Sequence, residues 1–194
     1  GYFDQVLIEV GSGTRGVAGS QRLLSAMQPS ETVSQGQTDA ALRERLSEAR
    51  RELGLDFLLL YGSDGQPLGS AEDNGPHAAL PLELQRLVPE ATLGPGSRSA
   101  RLMRLDTMAI ARMAPQLMPR LHIPLVPTRN AAPDVRTTED RAMVVISLQP
   151  VRDTAGRTTA LLAGGLLLNQ NLDFIDHINR IVYPDGALPF GSEG

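Results

Sequence analysis

The sequence predicts an α+β fold in which helices precede an antiparallel sheet and a further helix follows it. Two hairpin patterns predict the sheet. Residues 143–169 contain two apolar runs on either side of a short polar turn with Asp153 and Gly156, a pattern typical of two long, buried strands. Residues 55–69 repeat this pattern around a turn at residues 63–65. Both hairpins therefore contribute antiparallel strands to the predicted sheet.

Two helices are predicted before the first hairpin. Residues 3–27 carry apolar side chains near helical spacing, so we expect one helix there, although several glycines weaken the pattern. A second helix is predicted from an N-cap at Thr38 or Asp39 to residue 53, with Gly54 closing it. Its apolar residues form one stripe, and its charged residues predict a solvated face with no binding role.

The chain between the two hairpins is expected to form short elements joined by loops. In order these are a loop over residues 72–81, a helix over 82–88, a strand over 100–105, a helix capped by Asp106 that runs to residue 112, and a short helix over 115–121. The proline-rich residues 122–140 predict an exposed loop or flap. After the second hairpin, residues 172–182 predict the last helix.

Composition excludes several classes of function. The 194 residues carry a net charge of −4 without a basic stripe, which argues against nucleic acid as a partner. Zero cysteines exclude disulfides, thiolate metal sites and cysteine nucleophiles. The sequence has neither an apolar run of membrane-spanning length nor the opening of a signal peptide. We therefore expect a soluble fragment cut from a longer protein.

Nothing in the sequence predicts catalysis, a metal or a cofactor. His77, His122 and His177 are far apart, and none stands in a metal-binding spacing. Residues 11–16 imitate a phosphate-binding loop but lack the preceding strand and the lysine that such a loop needs. We expect the fragment itself to be non-catalytic.

The strand over residues 141–150 predicts a pocket wall. If it alternates, one face is apolar, while the other mixes apolar residues with Ser147 and Gln149, as the lining of a small-molecule site does. The alternative is that these two side chains face solvent or a neighbouring loop. Gly164 and Gly165 in the partner strand indicate a bulge or a close backbone approach, at a binding cleft or under a tightly packed helix.

The element order is that of a PAS-like sensor domain. Four segments carry a closer resemblance, namely residues 52–58, 108–117, 149–157 and 164–176. Together they resemble the extracytoplasmic Cache sensor domains of bacterial histidine kinases and chemoreceptors, over roughly residues 40–181. The resemblance implies a PAS-like antiparallel sheet that cups a small ligand, in the periplasmic part of an inner-membrane protein whose helices relay the signal. It also allows a cytoplasmic histidine kinase in the full-length protein.

On this basis the chain divides into three parts. They are an N-terminal helical region over residues 1–54, a PAS-like Cache core over 55–170, and a C-terminal helix and tail over 171–194 that lead into a truncated continuation.

The first functional hypothesis is a ligand-sensing module. The guanidinium fork binds carboxylates bidentately, so the many arginines favour a carboxylate ligand. Arg104, Arg112 and Arg141 are the candidate ligand-binding residues, with Tyr61 and Ser147 as further polar contacts. Each of these residues also has a structural explanation.

The second hypothesis is a ligand-free interaction module that dimerises through its N-terminal helices or receives a partner protein. A third, a cytosolic PAS domain with a cofactor, is disfavoured because haem or flavin ligands at suitable spacing are missing. A pocket lined by a buried arginine favours the first hypothesis. A filled core with an exposed apolar helix face favours the second.

Overall fold

The computed structural model describes residues 1–28, 35–72, 78–93, 100–121 and 141–168. Its helices are α1 (Tyr2–Ala18), α2 (Gln21–Met27), α3 (Gln35–Leu53), α4 (Leu82–Gln85), α5 (Val88–Leu93), α6 (Thr107–Met113) and a 3₁₀ helix (Pro115–Leu121). Its strands are β1 (Phe57–Gly62), β2 (Pro67–Ser70), β3 (Arg101–Asp106), β4 (Arg141–Arg152) and β5 (Thr158–Leu167). The predicted flap at residues 122–140 and the predicted helix at 172–182 lie outside the described residues.

The strands form one five-stranded antiparallel sheet in the order β2-β1-β5-β4-β3. Each predicted hairpin is present, as β1–β2 and as β4–β5. Pairing of β1 with β5 joins the two hairpins, and β3 adds to the outer side of β4. The predicted α+β class with a PAS-like antiparallel sheet is therefore confirmed.

Turn chemistry fixes the longer hairpin. Asp153 Oδ1 accepts hydrogen bonds from the backbone N–H groups of Ala155 and Arg157, both at 2.9 Å, and Gly156 takes the positive φ of 82° that the turn requires. The hydrogen bond from the Arg157 N–H is the largest cause that lowers the pKa of the Asp153 carboxyl, so the carboxylate form organises this turn.

The N-terminal helices differ from the prediction in two places. The single helix expected over residues 3–27 was wrong: the chain breaks at Gly19, and Ser20 begins α2 by accepting a hydrogen bond from the Leu23 N–H at 3.2 Å. The N-cap predicted at Thr38 or Asp39 was also wrong, because α3 already begins at Gln35. Its end at Gly54, with a φ of 67°, is confirmed.

The short elements follow the predicted order with one correction. β3, the 3₁₀ helix and an α6 capped by Asp106 are confirmed, and Asp106 Oδ1 accepts a hydrogen bond from the Met108 N–H at 2.9 Å. The single helix expected over residues 82–88 is instead two short helices, α4 and α5.

Helices cover both faces of the sheet. We call one the short-helix face, because α4, α5, α6 and the 3₁₀ helix cover it, and the other the long-helix face, because α1, α2 and α3 cover it. The predicted phase of β4 is confirmed, since its even-numbered residues from 142 to 148 face the short helices and Val145 faces the long ones. The hydrophobic core on the short-helix face includes Phe57, Leu59, Tyr61, Leu84, Ile110, Met113, Ile146 and Leu161. The core on the long-helix face includes Val10, Leu23, Leu46, Leu58, Leu60, Val145 and Leu162.

The two adjacent glycines of β5 allow close packing, not a bulge. The ladder register is continuous there, with Gly164 opposite Ser147 and Gly165 opposite Ile146. A Cβ on Gly164 would lie 2.6 Å from Thr14 Oγ1 of α1, and a Cβ on Gly165 would lie 2.6 Å from the Phe57 ring. The glycines therefore mark tight helix packing on one face and a stacked ring on the other.

Within the described residues, each helix is too short or too polar to cross a bilayer.

We expect Gly164→Ala to destabilise the protein by about 1–3 kcal/mol, because the added methyl group overlaps the buried Thr14 hydroxyl. A Thr14→Ala change in the same chain should restore part of the loss, since it removes the overlapping atoms. Gly16→Ala is the matched control: no heavy atom lies within 4 Å of its new Cβ, so better helix propensity should stabilise α1 by up to about 1 kcal/mol. Urea unfolding measures all three. A Gly164→Ala protein as stable as the wild type contradicts the packing described for α1.

Candidate functional site

The five predicted site residues lie on both sides of the sheet. Tyr61 is buried on the short-helix face, whereas Ser147 alternates onto the side of β4 that Val145 also faces. Arg104 is exposed on β3, at the position paired with Met143. These three residues therefore do not converge on one site.

The other two predicted arginines sit at the ends of their elements. Arg112 lies in the last turn of α6 and is exposed there, where a cation also complements the helix dipole. Arg141 pairs with Asp106 across the β3–β4 ladder, and its side chain is outside the described structure. Of the five residues, only Arg112 lines one of the described cavities large enough for a metabolite.

Ser147 lines a much smaller cavity. Ser147 and Gln149 are each only 3% exposed, and Gln149 Nε2 donates a hydrogen bond to Ser147 Oγ at 2.7 Å. Beside them a cavity of about 40 Å³ opens towards the Glu90–Arg101 ion pair, whose shortest N–O distance is 2.7 Å. This volume suits one ordered water better than a metabolite. The mixed polar composition of this part of β4 thus reflects a buried hydrogen bond.

A larger cavity lies between α4 and α6, and we call it the α4–α6 groove. Its volume is about 370 Å³, within the range of small-molecule sites. Its first wall is Ala78, Ala79, Leu80, Pro81, Leu82, Glu83 and Gln85, and its second wall is Asp106, Met108, Ala109 and Arg112.

Local structure explains both walls of this groove. Gln85 Nε2 donates a hydrogen bond to the Leu80 carbonyl at 2.6 Å, and the Leu80 N–H donates to the Gly65 carbonyl at 2.8 Å, which ties the first wall to the β1–β2 turn. On α6, Met108 and Arg112 are four residues apart and share one side of the helix. The second wall therefore presents a cap carboxylate, an apolar side chain and a guanidinium in series.

Apolar and charged side chains in the groove both remain accessible. Leu82 is 68% and Met108 57% exposed, so both side chains offer apolar surface to a ligand. The structure describes no ion-pair partner for Glu83, Asp106 or Arg112 among the residues it covers. An accessible apolar surface next to unpaired charges is suited to binding.

Tyr61 carries a buried polar group on the short-helix face. Its side chain is 0% exposed, and its hydroxyl has no hydrogen-bond partner among the described residues. Burial raises the pKa of this phenol above its ordinary value. The hydroxyl is therefore a neutral donor in an apolar surrounding.

An ion pair that the sequence did not predict joins the 3₁₀ helix to the start of β1 and the end of β5. Arg120 Nη1 lies 3.0 Å from Asp56 Oδ1, and Arg120 Nη2 donates to the Leu167 carbonyl at 2.9 Å. Asp56 Oδ2 in turn accepts a hydrogen bond from the Leu167 N–H at 2.8 Å. We call these three residues the β5 clasp. Its members are distant in the chain, so spacing gave no signal for it.

Metal binding finds no support among the described residues, where no cluster of three or more His, Asp or Glu side chains is placed to hold an ion. His77, His122 and His177 lie outside the described ranges.

The comparisons with known proteins identify a fold and no family. No protein-family model matches the sequence, and no curated protein is significantly similar to it. Among solved structures, the periplasmic domain of Vibrio cholerae LuxQ is similar, with a TM-score of 0.51 and 13% sequence identity. The match covers 91% of this chain and 64% of the LuxQ periplasmic-domain chain, so this chain spans just under two thirds of the length of that domain. At this identity the similarity shows the fold alone.

We expect Arg120→Ala to cost about 1.5–3 kcal/mol of stability, because it removes charge-assisted bonds to Asp56 and to the Leu167 carbonyl. Arg22→Ala is the matched control: it removes an exposed ion pair to Glu48, 3.3 Å long, and should cost less than about 1 kcal/mol. Urea unfolding of both variants tests the difference. Equal effects would show that the clasp is an ordinary surface pair.

We expect Tyr61→Phe to be as stable as the wild type or slightly more stable, because it removes a buried hydroxyl without a described partner. The two proteins should differ in alkali. Above about pH 10 the unfolded phenol ionises while burial keeps the folded phenol neutral, so wild-type stability falls as the pH rises.

The Tyr61→Phe protein should not show the loss of stability at high pH that ionisation of Tyr61 causes. A Tyr2→Phe control keeps Tyr61 and should show this loss as the wild type does. Urea unfolding at about pH 8 and pH 11 measures the difference. Identical pH dependence in Tyr61→Phe and the wild type would contradict a buried, neutral Tyr61.

Proposed function

We propose that this chain is the extracytoplasmic ligand-sensing domain of a membrane-anchored signalling receptor, a histidine kinase or chemoreceptor of the Cache class. The ligand is a small molecule with a carboxylate, and it binds in the α4–α6 groove with its carboxylate on Arg112. The helices of the long-helix face relay the change in conformation.

One observation carries this proposal: both layers of helices pack on the same central strands. α1 lies against β4 and β5 on the long-helix face, while α5 and α6 lie against β4 on the other. A shift of the short helices therefore changes the surface on which α1 rests. A ligand moves this equilibrium only by its difference in affinity for the two arrangements.

The fold and the groove add support. The similar LuxQ structure is a periplasmic domain, which agrees with an extracytoplasmic position for a domain of this fold. Within the groove, Arg112 offers a guanidinium fork without a described partner, and this is the group that binds a carboxylate with two parallel hydrogen bonds.

A thermal-shift screen of the purified chain against organic acids, amino acids, purines and polyamines tests the proposal. A ligand at a hundredfold excess over its Kd should stabilise the protein by about 2.7 kcal/mol. We expect a carboxylate to give this shift, and Arg112→Gln to abolish it while lowering the unliganded melting temperature only slightly, because Arg112 is exposed.

Arg15→Gln is the matched control, because Arg15 also lies in the last turn of its helix but belongs to α1. It should leave the shift intact. A carboxylate that binds equally well to the Arg112→Gln protein would rule out the assignment of the groove.

A ligand-free interaction module is the second candidate, and a different observation favours it. The described part of the short-helix face is filled by nineteen buried residues, and neither described cavity is lined by a buried arginine. In this candidate the exposed Leu82 and Met108 receive a protein partner, or the chain dimerises through α1. Absence of any thermal shift, together with a dimer in sedimentation that an Ile8→Ser change disrupts, would favour it, since Ile8 is 49% exposed on α1.

A further inference from the structure

We propose that the α4–α6 groove binds a short peptide of two or three residues that has free termini and an apolar side chain. This inference rests on the proposed function, since it names the ligand class of the same sensory site.

The charges of the groove argue for a ligand with both signs. Arg112 is opposed by two carboxylates, Asp106 on the same wall and Glu83 on the other, so the three side chains sum to one negative charge. A simple carboxylate would satisfy Arg112 and leave both acids without a cation. A ligand with an ammonium group and a carboxylate pairs with both kinds of charge.

The spacing of these charges sets the ligand's length. Asp106 caps α6 and Arg112 lies six residues further on, which separates their backbones by about 9 Å along the helix. An extended chain spans at most about 3.5 Å per residue, so two or three residues reach from one end to the other. A free amino acid carries both charges on one residue and is too short to contact both ends.

The middle of the groove matches an apolar side chain. Between its charged ends the α6 wall presents Met108 and Ala109, and the facing wall presents Leu82. Methionine adapts its shape to different apolar partners, which suits a site that accepts several peptides. The ammonium group then lies at Asp106, the side chain against Leu82 and Met108, and the carboxylate on Arg112.

One carboxylate oxygen of Asp106 is already used. Oδ1 accepts the cap hydrogen bond from the Met108 N–H, and Oδ2 has no described partner and remains for the ammonium group. Asn also caps helices well, so Asp106→Asn removes the charge while it keeps α6 intact.

Isothermal titration of the chain with leucyl-leucine tests the inference, alongside N-acetyl-leucyl-leucine, leucyl-leucinamide, leucine and glycyl-glycine. We expect leucyl-leucine to bind best. Blocking either terminus should weaken binding by about tenfold or more, since each block removes one charge-assisted contact.

Each variant removes the protein charge that pairs with one terminus, so its effect should depend on whether that terminus is free. Arg112→Gln should weaken the binding of leucyl-leucine by about tenfold but have little further effect on the binding of leucyl-leucinamide. Asp106→Asn should likewise weaken the binding of leucyl-leucine but have little further effect on the binding of N-acetyl-leucyl-leucine. Arg15→Gln, on α1, should bind every peptide as the wild type does.

Four results would overturn the inference. If blocked and free peptides bind equally, or if Arg15→Gln weakens binding as much as Arg112→Gln, the termini are not read in this groove. If no peptide binds but an organic acid binds through Arg112, the peptide inference fails and the proposed function stands. If neither peptides nor any compound of the thermal-shift screen bind, both fail together.

Discussion

The close contacts at Gly164 and Gly165 are the constraint on which the rest of the structure depends. These glycines stand side by side in the central strand, and each opens one face of the sheet: Thr14 of α1 lies over the first, and the Phe57 ring lies over the second. The Thr14 hydroxyl is itself satisfied, because it donates to the Val10 carbonyl at 2.7 Å. Because Gly164 has no side chain, α1 can pack closely against β5. α1 also contacts the residue before β3, since the Ala100 N–H donates a hydrogen bond to the Leu7 carbonyl at 2.9 Å.

Two cores that share one central strand are mechanically linked. The β5 clasp strengthens the link, because Arg120 of the 3₁₀ helix bonds to the last residue of β5 and to Asp56, which stands directly before β1. The groove is formed by α6, and α6 continues into the 3₁₀ helix that carries Arg120. A ligand on Arg112 therefore acts on an element that is bonded to the end of β5. These contacts give the proposed sensor a physical route from its ligand to α1. The route requires that a change in the α4–α6 groove alters the packing of α1, and this coupling can be measured.

Local signals in the sequence predicted most elements, and contacts between distant residues account for what was missed. Some features depend only on residues that are close in the sequence, and these could be predicted. They are the turn glycines, the cap at Asp106 and the end of α3 at Gly54. The break before α2 had a local signal as well, since Ser20 is a good N-cap, but the apolar spacing on either side concealed it. The strand order and the β5 clasp depend on pairings across the whole chain. Arg112 could be chosen from its side-chain chemistry, whereas the facing wall at residues 78–85 carries no periodic pattern that would have paired it with α6.

Hydrogen exchange of the Arg120→Gln protein tests the central claim most directly, namely that the short-helix face is coupled to α1 through β5. In this account the loss of the clasp speeds amide exchange in the 3₁₀ helix, at the end of β5 and also in α1, whose packing on Gly164 depends on β5. Faster exchange confined to the 3₁₀ helix and the end of β5, with α1 unchanged, would contradict the coupling and with it the proposed route from the groove to the long helices.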